Sequence, residues 1–207
     1  MRSFSGTLEV TEPTPARGGS GPVARAREID NATVALCNAG DQAAYARFVQ
    51  HYERAVMALL YRIMGPNADI EDLAQEAFLR AFRALPRFLL DGPATISTWL
   101  LTIATRLALN DKRRARSNAV ESSEIETRDP RTPEHSRSSA EIAAAIERAV
   151  ASLPIDQRAA FVLAEFHEMT MAELARALEI PENTAKTRVF RAREKMKALL
   201  APEWSDP

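Results

Sequence analysis

Apolar side chains recur at spacings of three and four residues along most of this 207-residue chain, and no stretch alternates with a period of two. The clearest run consists of Tyr45, Phe48, Val49, Tyr52, Val56, Leu59, Leu60 and Ile63. Such spacing places one wide apolar stripe on an α-helix, whereas a half-buried strand needs alternation. Only 6% of the residues are aromatic, while Ala, Leu, Arg and Glu are abundant, which favours helix over sheet. The sequence therefore predicts an all-α fold.

Breaks in this periodicity predict two small helical domains joined by a flexible linker. Residues 1–27 are rich in Gly, Pro, Ser and Thr and indicate a disordered leader. Residues 28–116 form the first predicted domain and residues 141–201 the second. The linker is residues 117–140, which lack an apolar stripe, and a tail of residues 202–207 ends the chain.

Local signals predict where the helices of the first domain begin. Asp41 and Asp69 each precede a periodic segment, and an Asp side chain is a favourable N-cap. Ser97 or Thr98 is expected to cap a last long helix, which runs from Trp99 to about residue 115.

Two closely spaced helices in the second domain have the dimensions of a helix-turn-helix. Thr170 and Glu173 match a capping box at the start of the first helix, and Asn183 is expected to cap the second, which ends near Leu200. The spacing in the second helix predicts a core face made of Ala185, Val189, Ala192, Met196 and Leu199. The residues expected to bind DNA from this helix are Thr184, Lys186, Thr187, Arg188, Arg191 and Lys195. Residues 186–197 contain six basic residues and one acidic residue, which favours DNA binding over a solvated basic helix.

The first domain carries a basic segment and an acidic segment. Residues 106–116 contain five basic residues and one acidic residue, a pattern that fits phosphate binding and helix capping equally well. Residues 69–76 contain four acidic residues, which suit the N-terminus of a helix. A mixed apolar and charged row follows, and such a row is typical of a protein-docking face. It consists of Gln75, Glu76, Leu79, Phe82 and Arg83.

Composition argues against several other classes of protein. The single cysteine, Cys37, excludes disulfides within the chain and indicates a reducing compartment. The three histidines lie far apart without zinc-ligand spacing, and no apolar run approaches the length of a membrane span. We therefore expect a cytoplasmic protein without membrane insertion, without a cofactor and without a small-molecule substrate.

The order of these segments resembles bacterial RNA polymerase sigma factors of the extracytoplasmic-function (ECF) group. Three stretches carry the resemblance: DLAQEAFLRAFRALPRF at 72–88, WLLTIATRLALNDKRRAR at 99–116, and LPIDQRAAFVLAEFHEMTMAELARALEIPENTAKTRVFRAREKMKALL at 153–200. The resemblance implies a subunit that binds core RNA polymerase and promoter DNA, has no active site, and is controlled by an anti-sigma factor. It also implies a role in a regulated stress or envelope response.

The resemblance assigns site residues by position. The surface that docks on core polymerase is expected to comprise Asp72, Gln75, Glu76, Leu79, Arg80 and Arg83. The helix from Trp99 and the loop before it are expected to open and hold the minus-ten element, with contacts from Arg106, Asn110, Lys112, Arg113 and Arg114. The helix that starts at Asn183 is expected to read the minus-thirty-five element.

The chain departs from the family pattern at four positions. The family often has Gly where Glu179 and Asn183 stand, and a positive φ at Glu179 would strain its backbone. A common Asn of the melting helix is replaced by Arg106, and a common Asp is replaced by Asn110. Two other functions stay open: a stand-alone helix-turn-helix regulator, and a metal-dependent enzyme that uses the carboxylates of residues 69–76, among them Asp69, Asp72 and Glu76.

Overall fold

The computed structural model describes residues 28–65, 68–119 and 139–204, and helices account for most of them. The first unit contains α1 (Asn31–Asn38), α2 (Gln42–Met64), α3 (Ile70–Ala84) and α4 (Ile96–Ala119), with a short 3-10 helix at Leu85–Arg87. The second unit contains α5 (Ser139–Ala151), α6 (Ile155–Glu165), α7 (Met171–Leu178) and α8 (Glu182–Trp204). No strand occurs among the described residues, and the all-α prediction is confirmed. The predicted leader lies outside the described residues.

Three of the predicted caps are present. The Asp41 carboxylate accepts a hydrogen bond from the backbone N–H of Ala44 at 2.7 Å, and the Asp69 carboxylate accepts one from Asp72 at 3.4 Å. At α7 the capping box is complete, because Thr170 and Glu173 exchange side-chain and backbone hydrogen bonds. These bonds satisfy N–H groups that have no partner within the helix.

The start of α4 differs from the prediction. This helix begins at Ile96, and the Thr95 hydroxyl accepts from the N–H of Thr98 at 3.2 Å, so neither Ser97 nor Thr98 is the cap. The N–H of Ser97 instead donates to the Glu28 carboxylate at 3.3 Å. This contact joins residues 69 positions apart, and no local pattern signals it.

Helices also extend beyond several predicted ends. Helix α4 continues to Ala119 and α5 starts at Ser139, so both ends of the predicted linker are helical and residues 120–138 lie outside the described part. Helix α8 starts at Glu182 and runs to Trp204. Asn183 is therefore inside α8 and is not its cap, because the Pro181 carbonyl already accepts a helical hydrogen bond from Ala185 at 3.0 Å.

The core of the first unit is built on α2. Its fully buried side chains are Phe48, Tyr52, Val56, Leu59, Leu60 and Ile63. The Tyr52 hydroxyl accepts from the N–H of Ile29 at 3.1 Å and donates to Glu28 at 3.2 Å. Burial of this phenol raises its pKa well above the usual value. The apolar stripe read from the sequence thus forms the core, and a polar contact fixes the N-terminal segment to it.

The core of the second unit follows the predicted face of α8 for three turns. Ala185, Val189, Ala192 and Met196 are buried, whereas Leu199 is 39% exposed and was wrongly assigned to the core. Leu200 packs against the core in its place. A helix of 3.6 residues per turn rotates its apolar stripe gradually, and here Leu200 completes the stripe.

The two units pack against one another through α2 and α4. Helix α2 contacts α5 and α6, and helix α4 contacts α7. The Arg62 guanidinium pairs with Glu147 at 3.0 Å and lies 4.1 Å from the centre of the Phe166 ring. Arg158 donates to the Ile63 carbonyl at 3.1 Å, at the end of α2. The second unit is therefore held against the first by charged side chains as well as by helix packing.

Candidate docking and nucleic-acid interfaces

The docking residues expected from the sequence lie along α3. Leu79 is 42% exposed and lies among charged side chains. Glu76 and Arg80 form an ion pair at 2.6 Å beside it. The remaining members of the set are exposed: Asp72, Gln75 and Arg83. Helix α3 thus presents one apolar side chain within a charged surface.

Phe82 does not belong to this exposed row, and that expectation is wrong. Its ring is half-buried, 4.4 Å from the ring of Tyr45 and 5.3 Å from that of Phe48. Phe82 lies one turn after Phe78, which also packs on Phe48. An aromatic side chain buries too much apolar surface to stay in water when such a cluster is within reach.

Two of the acidic side chains at the start of α3 have structural partners. The Asp69 carboxylate caps the helix by accepting from the backbone N–H of Asp72, and Glu76 pairs with Arg80. Among the described residues, no group of three or more His, Cys, Asp or Glu side chains is placed to hold a metal ion. The geometry therefore offers no support for the metal-dependent enzyme.

A groove of about 300 Å³ separates α3 from α4. Its lining combines residues of the docking set with residues expected to contact the minus-ten element: Leu73, Glu76, Arg80, Leu107, Asn110, Asp111 and Arg114. The two predicted surfaces therefore share an edge.

Four of the five residues expected to bind the minus-ten element lie together near the C-terminal half of α4. Asn110, Arg113 and Arg114 are exposed and Lys112 is half-buried. Arg113 donates to the Asn110 side chain at 3.4 Å. This part of α4 forms a basic, water-facing surface.

Arg106, the fifth residue of that set, points elsewhere. Its Nη2 donates to the Arg176 carbonyl at 2.7 Å and its Nε to the Ala177 carbonyl at 3.1 Å, both at the end of α7. Its Nη1 lies 3.2 Å from the Glu179 carboxylate. The structure thus separates Arg106 from the rest of the predicted minus-ten set and places it in the contact between the units.

The loop between the 3-10 helix and α4 presents an apolar tip. Leu89 is 76% exposed and Leu90 is also exposed. The N–H of Gly92 donates to the Leu89 carbonyl at 3.0 Å, and a Cβ atom at position 92 would lie 2.9 Å from that oxygen. Only glycine fits this turn without a shift of the backbone, so the shape of the loop is constrained. At its base the Trp99 ring packs on Phe88 with centroids 4.9 Å apart.

The turn of the helix-turn-helix contains a strained backbone at Glu179. Glu179 has φ 56° and ψ 44°, the left-handed conformation in which a Cβ atom is unfavourable. Its N–H nevertheless closes the end of α7 on the Ala175 and Arg176 carbonyls. The condition that the sequence analysis named for strain at Glu179, a positive φ, is therefore met.

The residues expected to read the minus-thirty-five element lie on α8 but differ in their exposure. Lys186, Thr187 and Arg191 are exposed, and Lys186 pairs with Glu182 at 2.8 Å. Thr184 is half-buried.

The other two residues of this set turn towards neighbouring helices. The Arg188 side chain is 26% exposed and lies 3.5 Å from Asp156 of α6. Lys195 donates to the Ser152 carbonyl at 3.2 Å. Of the basic residues in this set, Lys186 and Arg191 are therefore the two exposed ones that do not contact another part of the described second unit.

Phe190 is a candidate that sequence reasoning missed. Its ring is 63% exposed on α8, three residues after Thr187 and four after Lys186, so these side chains share a face. The signal was present in the sequence, because Phe190 falls off the core stripe that contains Val189 and Ala192. An exposed aromatic ring amid basic residues is suited to contact the methyl group of thymine.

Among the helices that the structure describes, none has the length and apolar character needed to cross a membrane.

Comparisons with known proteins give the same family for both units. Residues 48–118 match the family Sigma-70 region 2, and residues 143–196 match Sigma-70, region 4. The RNA polymerase sigma-H factor of Pseudomonas aeruginosa is 31% identical over 187 residues, which cover 85% of this chain and 96% of that protein. The ECF RNA polymerase sigma-E factor of Escherichia coli K12 is 33% identical over 184 residues, which cover 84% of this chain and 95% of that protein.

Solved structures share the fold at lower identity. CnrH in complex with the cytosolic domain of CnrY matches with a TM-score of 0.58 and 24% identity, over 84% of this chain and 97% of that chain. The sigma factor RpoE in complex with the anti-sigma factor NepR from Bartonella quintana matches with a TM-score of 0.61 and 21% identity, over 76% and 96%. Since relatives above 30% identity align with nearly their whole length, the chain belongs to the ECF group of RNA polymerase sigma factors, the subunits that direct transcription initiation.

Proposed function

We propose that the chain divides the work of initiation among three helices. Helix α3 docks on core polymerase, the basic C-terminal half of α4 holds the opened minus-ten element, and α8 reads the minus-thirty-five element. The chain itself has no active site, and the phosphoryl-transfer chemistry belongs to core polymerase. The main support for docking through α3 is the exposure of Leu79 within a charged surface.

The docking assignment rests on the chemistry of α3. A partner that covers Leu79 removes its apolar surface from water, at about 25 cal/mol per Å². The neighbouring charges, including Asp72 and Arg83, favour one orientation of the partner and disfavour others. A stand-alone regulator would have no use for such a face.

The DNA assignments rest on the distribution of positive charge. Lys186 and Arg191 on α8 are exposed, and an arginine can donate two hydrogen bonds to guanine in the major groove. Arg113 and Arg114 on α4 are exposed beside Asn110, a combination suited to phosphates and base edges of a single strand. Contacts to phosphates make both interactions sensitive to salt.

An anti-sigma factor is the proposed regulator of the chain. The relative named RpoE was solved with the anti-sigma factor NepR. We extend this kind of partner to the present chain, in keeping with a role in a regulated response.

Leu79→Asp tests the docking face. The substitution places a charge where apolar contact is needed, so affinity for core polymerase should fall at least tenfold, about 1.4 kcal/mol. Leu79 is exposed, and thermal stability should therefore change little. Titration of labelled chain with core enzyme measures the affinity.

Leu36→Asp is the matched control. Leu36 is 43% exposed, about the same as Leu79, but it lies on α1. This variant should bind core polymerase like the parent chain. Equal affinities for both variants and the parent would remove α3 from the docking surface.

A further inference from the structure

Two oppositely charged residues from different units touch each other in the structure. Arg106 lies on α4, and Glu179 follows the end of α7. Their side chains form an ion pair at 3.2 Å across the contact between α4 and α7. These residues are 73 positions apart in sequence.

Arg106 completes the C-terminus of α7. The last carbonyl groups of a helix have no hydrogen-bond partner within it, and they carry the negative end of the helix dipole. The guanidinium donates to two of these carbonyls, those of Arg176 and Ala177. A cation at this place interacts favourably with the helix, and a neutral Asn side chain could not replace its charge.

Glu179 occupies a backbone conformation that glycine would adopt more readily. The side-chain contact that the structure gives Glu179 is the ion pair with Arg106. The Glu179 carboxylate is 70% exposed, so the ion pair alone contributes little. The larger contribution comes from the carbonyl contacts, and the carboxylate keeps the guanidinium in position.

A second contact joins α7 to the start of α4. The Thr98 hydroxyl, at the start of α4, donates to the Glu173 carboxylate at 3.5 Å. Arg106 lies about two turns further along α4 and contacts the other end of α7. The first helix of the helix-turn-helix is therefore fixed to the helix expected to bind the minus-ten element.

This closed arrangement is incompatible with binding both promoter elements at once. The two elements are about 25 base pairs apart by their names, which corresponds to roughly 85 Å along the duplex. A folded body of this size measures on the order of 40 Å across. The two units must separate before α4 and α8 can each reach their own element.

We propose that Arg106 and Glu179 form an interdomain latch, a pair that holds the isolated chain closed and keeps Arg106 away from DNA until polymerase separates the two units. The inference rests on the proposed function only for the role of the open form. In the closed form, Arg106 of the predicted minus-ten set is engaged in contacts with the end of α7 and with Glu179. Opening frees it at the moment when α8 becomes able to reach a distant site.

A distance measurement on the full-length chain tests the latch. Fluorophores at Glu71→Cys on α3 and Lys197→Cys on α8 occupy exposed positions in different units, while the native Cys37 is buried. Single-molecule energy transfer then gives the ratio of closed to open molecules without polymerase or DNA. The parent chain should be mostly closed, and core polymerase should shift it to the open form.

Two variants should lower the closed-to-open ratio. Glu179→Gln preserves shape and removes one charge, and the ratio should fall about threefold, as expected for an exposed pair. Arg106→Ala also removes the carbonyl contacts, and the ratio should fall about tenfold or more. In the Arg106→Ala background, Glu179→Gln should have no further effect, because the two residues act as one unit.

Glu182→Gln is the matched control. It removes a carboxylate from the same turn, but Glu182 pairs with Lys186 within α8. Its closed-to-open ratio should equal that of the parent, and circular dichroism should give the same helix content for all variants. A parent chain that is open in isolation, or a ratio unchanged in both Arg106→Ala and Glu179→Gln, would overturn the latch. Because no polymerase is needed, that result would leave the docking proposal standing.

Discussion

His167 is buried at the contact between the two units, close to the Arg62 guanidinium. Burial, together with that nearby positive charge, lowers the pKa of His167 to about 4. Its Nε2 atom has no hydrogen-bond partner among the described residues. At neutral pH this imidazole is therefore uncharged and serves as part of the packed interior.

The depressed pKa of His167 predicts an acid-sensitive stability. In the unfolded chain this histidine has a pKa near 6.5, so between pH 6.5 and 4 the unfolded state binds more protons than the native state. Stability is thus complete above pH 6.5 and falls as the pH drops towards 4. The loss between pH 7 and pH 5 should be about 2 kcal/mol, measured by urea unfolding.

His167→Leu separates this effect from that of other titrating groups. The variant has no imidazole to protonate, so its stability should depend less on pH over this range. Asp30, whose pKa is lowered by hydrogen bonds from Thr33, loses its contribution only at lower pH. Identical pH profiles for parent and variant would contradict the assignment.

At the scale of single helices, periodicity and capping chemistry predicted much of the structure. The apolar stripe of α2, the Asp41 and Asp69 caps and the capping box of α7 follow from residues close in sequence. Each of these features depends on interactions within about one or two turns, which a local pattern can register.

Several of the missed features depend on contacts between distant residues. The Thr95 cap of α4 is local, but the bond from the Ser97 N–H to Glu28 joins distant residues. Phe82 enters a cluster with Tyr45 and Phe48 of another helix. Arg106 reaches α7, about 70 residues away, although the family resemblance assigned it to DNA. Local patterns identify which side chains are available and leave open which partner they find.

The proposed role of α8 predicts different effects on DNA binding for two substitutions. Arg191→Ala removes an exposed guanidinium, so binding to the preferred minus-thirty-five duplex should weaken by about 1–3 kcal/mol and specificity should relax at one or two base pairs. Lys195→Ala should weaken binding to all sequences alike and reduce the slope of affinity against salt by about one. Selection from randomised duplexes, together with salt titrations, measures both effects.

Arg193→Ala is the control for these variants. Its guanidinium pairs with Glu165 at 2.6 Å within the second unit, away from the predicted reading face. It should keep the parent's sequence preference. If Arg191→Ala also keeps that preference, then reading belongs to other residues of α8, and exposed Phe190 is the next to test.

At the scale of the whole molecule, the three proposed surfaces lie on three different helices. Residues of α3 and α4 line the same groove, so docking through α3 would place the proposed melting surface next to polymerase. Helix α8 belongs to the second unit, and in the proposed function it binds a separate promoter element. Two weak DNA contacts gain joint affinity only when polymerase fixes the separation of the units, because effective concentration depends on geometry.

The proposed function predicts that the basic C-terminal half of α4 acts in opening the promoter rather than in forming the closed complex. Replacing Lys112, Arg113 and Arg114 together with Ala removes three positive charges from α4 and leaves the packing of Leu107 and Ala108 intact. Holoenzyme with this triple variant should form closed complexes nearly as well as the parent, because α8 and the docking face are unchanged. Promoter opening should be impaired, since the separated strand loses phosphate and base-edge contacts.

Permanganate reactivity of promoter thymines reports the opening directly. Gel-shift titration on the same promoter measures closed-complex formation, so the two steps are separated in one preparation of holoenzyme. Arg116→Ala is the control, because Arg116 is also basic and exposed on α4 but lies beyond the proposed surface. This variant should open promoters like the parent. If the triple variant does so as well, the basic cluster serves only to stabilise the end of α4, and the melting contacts must come from the loop that presents Leu89 and Leu90.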